Sequence, residues 1–349
     1  LPTIKDVAQR AKVSVGTVSA ALNKTKYVSP VLMERILKAV DELGYRADGI
    51  ARSLKRGKTD LIGLIVDDLN NLFYVELLEQ IELEARKKGY SVLLCQSGGD
   101  VSTERAYLDI LEKYRVDGLI WSMAGKAEDY EARYGGTFPV PLVLVDRISP
   151  SFGAFDHVVL NNNAAGRQAA DYLLDLGHRQ IVLLNGPDYL SVAHERRTGF
   201  EEGLLARGVE IDEGLVISNS FHEQEAFEAC CDLLRQRPDV TAIIAASGVL
   251  FVAALRALKA CKRSCPEDVS VVGIDDFPLA NLMTPAVTVV AQPVKRMGQV
   301  AFELLMRRME APEKSTIHRM LEPSLIVRSS CRPAGDNRGT PSGRTGNKR

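Results

Sequence analysis

The 349 residues are 46% apolar and 26% charged, with a formal net charge of -1. That suffices for two or three domains of roughly 100–200 residues with packed cores, which excludes wholesale disorder, and no apolar run reaches the roughly 18 residues of a membrane helix. Residues 1–60 hold 12 Lys/Arg against six Asp/Glu and the remainder 32 against 39, so a cationic head precedes an anionic body and points to a polyanionic partner.

The head reads as three short helices. Thr3 and Asp6 have the spacing of a reciprocal cap ahead of Val7, Ala8 and Ala11. Lys12-Val13-Ser14 is a break, and Ser14 caps a second helix, Val15 to Leu22. A polar loop over residues 23–26 follows. Ser29-Pro30 opens a third helix whose apolar stripe is Leu32, Ile36, Leu37, Val40 and Leu43, and Gly44 ends it. Two short helices joined by a three-residue turn and braced by a third form a helix-turn-helix pattern.

From Leu61 onward apolar runs alternate with amphipathic segments. The runs are Leu61–Val66, Ser91–Cys95, Gly118–Ser122, Pro141–Val145, Val158–Leu160, Ile181–Leu184, Leu215–Ile217, Ala242–Ala246 and Ser270–Ile274; Phe73–Lys88 and Ala164–Leu176 are typical helices between them. The alternation predicts an α/β body of doubly wound parallel sheets, and nine or more strands predict two lobes. Residues 332–349, rich in Gly, Pro and Ser with five basic residues and one acid, predict a disordered basic tail.

Chemistry-bearing motifs are few. The six cysteines (Cys95, Cys230, Cys231, Cys261, Cys265, Cys331) lack zinc-site spacing and read as reduced thiols of a cytoplasmic protein, and the first residues lack a secretory h-region. His178 has no Ser or Cys partner at motif spacing and reads as structural. No Gly-x-Ser-x-Gly, P-loop or dinucleotide fingerprint follows a strand, so neither enzyme nor cofactor nor metal site is expected. The residues just past the predicted strands are instead polar: Asp67-Asp68, Ser122, Asp146-Arg147, Gly186-Pro187, Ser247 and Asp275-Asp276. Ligands of open α/β sheets bind there. A set with several carboxylates, one Arg and no Lys suits a neutral polyol better than an anion, which favours a sugar or sugar derivative.

An ordered succession of motifs resembles the lactose-repressor (LacI/GalR) family of transcription regulators. It comprises Thr3-Ile4-Lys5-Asp6-Val7-Ala8, Val13 through Ser19, Asn23, Val28-Ser29, Leu43-Gly44-Tyr45 and Ile50-Ala51-Arg52-Ser53-Leu54 in the head. The body continues it with Ile62-Gly63-Leu64, Phe73-Tyr74, Asp146-Arg147, Gly177-His178, Val271 through Asp276 and Gln292-Pro293. The resemblance covers residues 3–330. It implies a helix-turn-helix head (1–46), a hinge helix and linker (47–59), and a periplasmic-binding-protein-like body (60–331). The lobes would be about 60–158 with 291–322, and about 159–290 with 323–331.

The resemblance also assigns residues. Val15, Gly16 and Ala20 would meet base edges of double-stranded DNA, although none carries a hydrogen-bonding side chain, so thymine methyl contacts and DNA shape would supply much of the readout. Thr3, Ser14, Thr17, Ser19, Asn23, Tyr27 and Ser29 match phosphate-holding positions. Ala51, Leu54 and Lys55 match the hinge helix that wedges into the minor groove. In the cleft, Arg196 and Asp275 match ligand anchors, Phe221 a stacking aromatic, Phe73 and Tyr74 an aromatic pair, Asp146 a lobe-interface acid, and Tyr189 and Ser191 a selecting loop; Ser122 and Ser247 complete the polar set. Ser247-Gly248 stands where the family often has Asn-Asp, and Leu160 where it often has Asp. The expected function is an allosteric repressor, working as a homodimer on a pseudo-palindromic operator and released by a small carbohydrate effector. The rivals are a sugar-binding protein for transport and a corepressor-dependent repressor with a non-sugar ligand.

Overall fold

The computed structural model describes residues 2–23, 26–45, 57–126, 128–134, 138–149, 155–218 and 221–335. The hinge residues Ala51, Leu54 and Lys55, and the chain from 336 onward, lie outside that set. Contacts divide the chain into a unit ending at Asp60 and a unit beginning at Leu61.

The first unit contains α1 (Ile4–Ala11), α2 (Val15–Asn23) and α3 (Pro30–Leu43). Thr3 and Asp6 form the expected cap: the Thr3 amide and hydroxyl donate to Asp6 Oδ2 at 2.7 and 2.8 Å. Lys12 takes a left-handed φ of 52° to turn the chain, and Arg35 on α3 donates to the Ala11 and Lys12 carbonyls at the exposed end of α1. Val7, Ala8, Ala11, Val18, Ala21, Ile36 and Ala39 form the core. The stripe on α3 differs from expectation at two positions, since Met33 rather than Leu32 packs on the core and Leu37 lies outside it. Leu37 is 51% exposed, because Met33, Ile36, Val40 and Leu43 share the inward face and Leu37 falls beside it.

The second unit holds two six-stranded sheets among the described residues. In the first, β1 (Leu61–Val66), β2 (Ser91–Gln96), β3 (Gly118–Trp121), β4 (Leu142–Val145), β5 (Asp156–Leu160) and β11 (His318–Leu321) run in the order 11-5-4-3-1-2, all parallel. In the second, β6 (Ile181–Asn185), β7 (Val216–Ser218), β8 (Ala242–Ala245), β9 (Ser270–Ile274), β10 (Thr288–Ala291) and β12 (Ser324–Ile326) run in the order 12-10-9-8-6-7, with only β12 antiparallel. Nine strands fall on the predicted runs; β10, β11 and β12 add to them. The connecting helices are α4 (Leu72–Lys87), α5 (Val101–Lys113), α6 (Glu128–Tyr134), α7 (Asn162–Asp175), α8 (Ser191–Ala206), α9 (Glu223–Gln236), α10 (Gly248–Ala260) and α11 (Val294–Glu310). Near-continuous apolar runs bury both faces of the inner strands, whereas β2, β7, β11 and β12 at the sheet edges are partly exposed.

The chain passes between the sheets three times, after β5, β10 and β11. Asn161 ties two of these crossings together, donating through its amide group to Glu322 at 3.1 Å and through its backbone N–H to the Leu321 carbonyl at 2.8 Å. Beside them Asp156, fully buried, accepts from Arg308 Nε at 2.7 Å and from the Ile317 N–H at 2.6 Å, pinning α11 and the approach to β11 onto β5.

Residues 332–335, expected as part of a disordered tail, are instead placed against the second sheet. Arg332 and Ala334 are held by the second sheet's surroundings: the Arg332 N–H donates to Ser270 Oγ at 3.1 Å and the Ala334 N–H to the Leu176 carbonyl at 2.8 Å. His178 explains why. Its ring sits between Thr241 Oγ1 (2.9 Å) and the Arg332 carbonyl (3.0 Å), a structural role that composition alone could not extend to Arg332.

One buried acid, Glu104, is held by hydrogen bonds, with the Arg147 charge acting on it more weakly. Glu104 on α5 takes the Ala124 N–H on both oxygens, at 3.1 and 3.2 Å, and the Tyr130 hydroxyl; Tyr130 packs edge-on to Trp121 with ring centroids 4.8 Å apart. Burial pushes its carboxyl up to about 7, against the pull of the hydrogen bonds from Tyr130, Trp121 and Ala124. Between the ordinary value of 4.5 and about 7 the folded protein therefore keeps a proton that the unfolded chain has lost. Stability must fall as pH rises through that window, by roughly 3 kcal/mol in total. Glu104→Gln is neutral throughout and is expected to flatten that part of the melting-temperature profile between pH 5 and 8. Parallel profiles for the two proteins would refute the assignment.

Candidate functional site

In the head, α2 presents its first turn outward. Val15 is 41% exposed, Gly16 is exposed, and Ala20 one turn on is half-buried. Ser14 caps the helix as expected, accepting the Thr17 N–H at 3.1 Å and sharing a 2.9 Å hydrogen bond with the Thr17 hydroxyl. Thr3 is exposed at the start of α1, Ser19 is half-buried on α2, Tyr27 is 89% exposed, and Ser29 precedes Pro30 as the N-cap of α3. Asn23 is the last residue of α2; its side chain lies outside the described set. The arrangement can lay one exposed helix N-terminus into a groove, flanked by hydroxyls at two further helix starts.

In the body, the carboxyl ends of strands from both sheets supply a common cleft. Each sheet has a topological switch there, between β1 and β3 and between β6 and β8, where helices leave in opposite directions and open a crevice. From the first sheet come Phe73, Tyr74 and Asp146; from the second come Arg196, Phe221, Ser247 and Asp275. These seven predicted residues line one cavity of about 20 Å³, room for a single water between the closed side chains.

Local features hold each side chain. Arg196 is 3% exposed and fully directed, donating to Asn162 Oδ1 at 2.8 Å and to the Ala246 carbonyl at 2.6 Å. Its helix α8 can reach this depth because Gly166 and Gly199 let α7 and α8 touch backbone to backbone. A Cβ at Gly166 would lie 2.0 Å from the Arg196 carbonyl oxygen, and one at Gly199 would lie 1.9 Å from that of Asn163. Gly186 likewise leaves the space that the Phe221 ring fills, since a Cβ there would sit 2.2 Å from it. Asp275 takes a left-handed φ of 86° and accepts from Gln292 Nε2 at 2.5 Å. Ser247 is spent as the cap of α10, accepting the Leu250 N–H at 3.2 Å. Tyr74 donates to Asp146 Oδ2 at 2.9 Å and shares a 3.2 Å hydrogen bond with Ser122. Burial raises the Asp146 carboxyl above the usual range, opposed by Arg147 and Arg196.

Three expected residues stand back from the cavity. Ser122 acts through Tyr74. Ser191 accepts the Ile148 N–H at 3.3 Å, a bridge between the lobes, and Tyr189 is 52% exposed with Lys126 Nζ 5.8 Å from its ring centre. Three lining residues were absent from the expected set, Asn71, Val192 and Gln292, and Arg147, expected only as part of the strand-end polar set, joins them on the lining. Arg147-after-Asp146 and Gln292-Pro293 were visible as motifs, but nothing in the sequence aims them inward. The inward-facing atoms are telling. Arg147 Nε and Gln292 Oε1 are buried without a hydrogen-bond partner, one donor and one acceptor on the same cavity. The Gln292 orientation follows from its neighbour, because the reversed amide would set two oxygens against each other at Asp275.

A larger groove of about 510 Å³ lies at the opposite, amino ends of the second sheet's strands, around His178, Thr241 and Arg332. It lies away from the strand carboxyl ends and has no aromatic side chain other than the His178 ring on its lining. Among the described residues no group of three or more His, Cys, Asp or Glu could hold a metal ion, and no helix is long and apolar enough to cross a membrane.

The pattern of bacterial regulatory proteins of the lacI family matches residues 3–48, and that of the periplasmic binding protein-like domain matches residues 170–331. The ribose operon repressor of Halalkalibacterium halodurans is 34% identical over 97% of this chain and 99% of its own. The chain belongs to the lacI family of bacterial regulatory proteins. A second family relative, the HTH-type transcriptional repressor PurR of Vibrio campbellii, is 31% identical over 95% of this chain and 98% of its own. Among solved structures, the transcriptional regulator CelR–cellobiose complex superimposes with a TM-score of 0.71 at 32% identity, covering 95% of this chain and 100% of that one. The lacI-family resemblance, the α/β two-sheet body and the helix-turn-helix head are thus all present together in one chain.

Proposed function

We propose that this lacI-family protein is a cytoplasmic transcriptional repressor whose grip on a pseudo-palindromic operator is switched by a small uncharged carbohydrate in the cleft of its body. The observation that carries the proposal is the convergence of buried Arg196 and Asp275 and half-buried Gln292 against the Phe221 and Phe73 rings. An aromatic wall beside fixed donors and acceptors recognises a ring bearing hydroxyls, each of which donates and accepts. The relatives support the same reading: one is named for a ribose operon, and a structural neighbour is a complex with cellobiose.

The protein acts as a homodimer, since two heads are needed for two half-sites. Apolar side chains left exposed on α4 (Leu72, Leu83) and around α10 (Val252, Leu279, Leu282) are the surface assigned to the second copy. Val15, Gly16 and Ala20 read base edges, and Thr3, Ser14, Thr17, Ser19, Asn23, Tyr27 and Ser29 hold phosphates. The effector releases the operator. It does so only through tighter binding to the body state that holds DNA less well.

An operator-fragment mobility shift with a sugar titration tests this. Binding to a palindromic fragment and release by one neutral sugar are expected; failure to bind any palindrome, or tighter binding with every active ligand, would overturn it. A second test addresses the head. Val15→Gln replaces a methyl contact with an amide and is expected to redistribute preference among operator variants by about 10-fold while total DNA affinity persists. Complete loss of DNA binding would contradict the modest readout assigned to that helix.

A further inference from the structure

Asp67, directly after β1, is 8% exposed, and its Oδ2 lies 2.6 Å from Nη2 of Arg147, itself 5% exposed. The Arg147 guanidinium lies over the Phe221 ring of the other lobe, with Cζ 5.1 Å from the ring centre. Asp67 is fixed from behind. The Gly98 N–H donates to its carbonyl at 2.8 Å, and a Cβ on Gly99 would come within 3.2 Å of its Oδ1. Asp146 is a poor substitute as counter-ion: its Oδ2 takes the Tyr74 hydroxyl at 2.9 Å and stands 4.0 Å from Arg147 Nε.

The cleft is therefore lined by two cations, Arg147 and Arg196, and two carboxylates, Asp146 and Asp275, and a third buried carboxylate, Asp67, stands behind Arg147. An arginine cannot lose its proton, so Arg147 stays charged whatever faces it. With Asp67 in place its charge is met inside the protein, and an entering anion would find excess negative charge at low dielectric. Without Asp67 the same guanidinium is a buried cation in need of a partner, and its planar fork suits phosphate or carboxylate.

We propose that Asp67 is a specificity-determining residue of the cleft, acting through Arg147: it makes the site accept uncharged polyols and refuse small anions. The inference rests on the polyol reading above for what is accepted, but not for what is refused. Asp67 touches no ligand in this scheme and is a positioning residue whose effect is on ligand charge.

The experiment titrates the full-length wild type and Asp67→Asn with inorganic phosphate by calorimetry, with operator binding as the control for folding. The expected result is no saturable phosphate binding to wild type and a gain of at least about 10-fold in Asp67→Asn. That gain must disappear in Asp67→Asn/Arg147→Gln. Equal phosphate binding by wild type and variant, no gain in a variant that still binds operator, or a gain surviving removal of Arg147 would each overturn the proposal. Should Asp67→Asn not fold, Asp67→Ser takes its place, and phosphate binding competing with a neutral sugar in the wild type would overturn it alone. A wild type that binds no neutral sugar, beside a phosphate-binding variant, would sink the polyol reading and leave the role of Asp67 standing.

Discussion

Asp275→Asn is expected to leave operator affinity intact and to weaken the response to effector at least about 100-fold, near 2.7 kcal/mol. The carboxylate is 6% exposed, holds Gln292 at 2.5 Å and takes the Gly248 N–H at 3.4 Å. An ionised acceptor makes stronger hydrogen bonds than a neutral one, at about 1.5–3 kcal/mol each, and a hydroxyl pair on a sugar would use both oxygens. The substitution also replaces one of the two acceptor oxygens with an N–H₂ group, so either Gln292 Nε2 or the Gly248 N–H loses its acceptor. Operator binding by mobility shift, with and without the sugar identified in the titration, checks it. An unchanged effector midpoint would remove Asp275 from the site.

The second large effect is on stability. Asp156→Asn removes the charge that faces Arg308 at 2.7 Å and Arg307 at 3.7 Å, while Asp156 itself has no solvent exposure. Breaking a buried pair commonly costs 3–5 kcal/mol, because the surviving charge is left uncompensated. Arg308 keeps the Pro312 and Lys314 carbonyls, at 2.8 and 2.7 Å, so the lower end applies: a loss of about 3 kcal/mol in urea unfolding. A shift below about 1 kcal/mol would mean that the carbonyls alone suffice to hold α11 on β5.

Particular residues show how far the sequence could be read. Leu61–Val66 and Ser270–Ile274 were bounded correctly because a fully buried parallel strand is an unbroken apolar run flanked by polar residues. β11 carries no such signal: His318, Arg319 and Met320 are exposed on an edge, and only pairing with β5 makes them a strand. Leu37 was misplaced because a stripe written at helical spacing tolerates one residue beside it, and packing against α1 decides which. In the cleft, motif residues at strand ends pointed to Arg196, Asp275 and Phe221. Arg147 and Gln292 needed coordinates, since their roles depend on Asp67 and Asp275, neighbours contributed by other strands.

The chain has one tryptophan, and it lies in the first lobe's interior, edge-on to Tyr130 and beside Glu104. Ultraviolet emission excited at the indole therefore samples that lobe alone and is blind to the head and to the second sheet. A carboxylate quenches differently from a carboxylic acid, so the same light reports the ionisation of Glu104 without an added label. Loosening of the Glu104 cluster can therefore be followed by light in the unmodified protein, separately from detachment of the head from DNA.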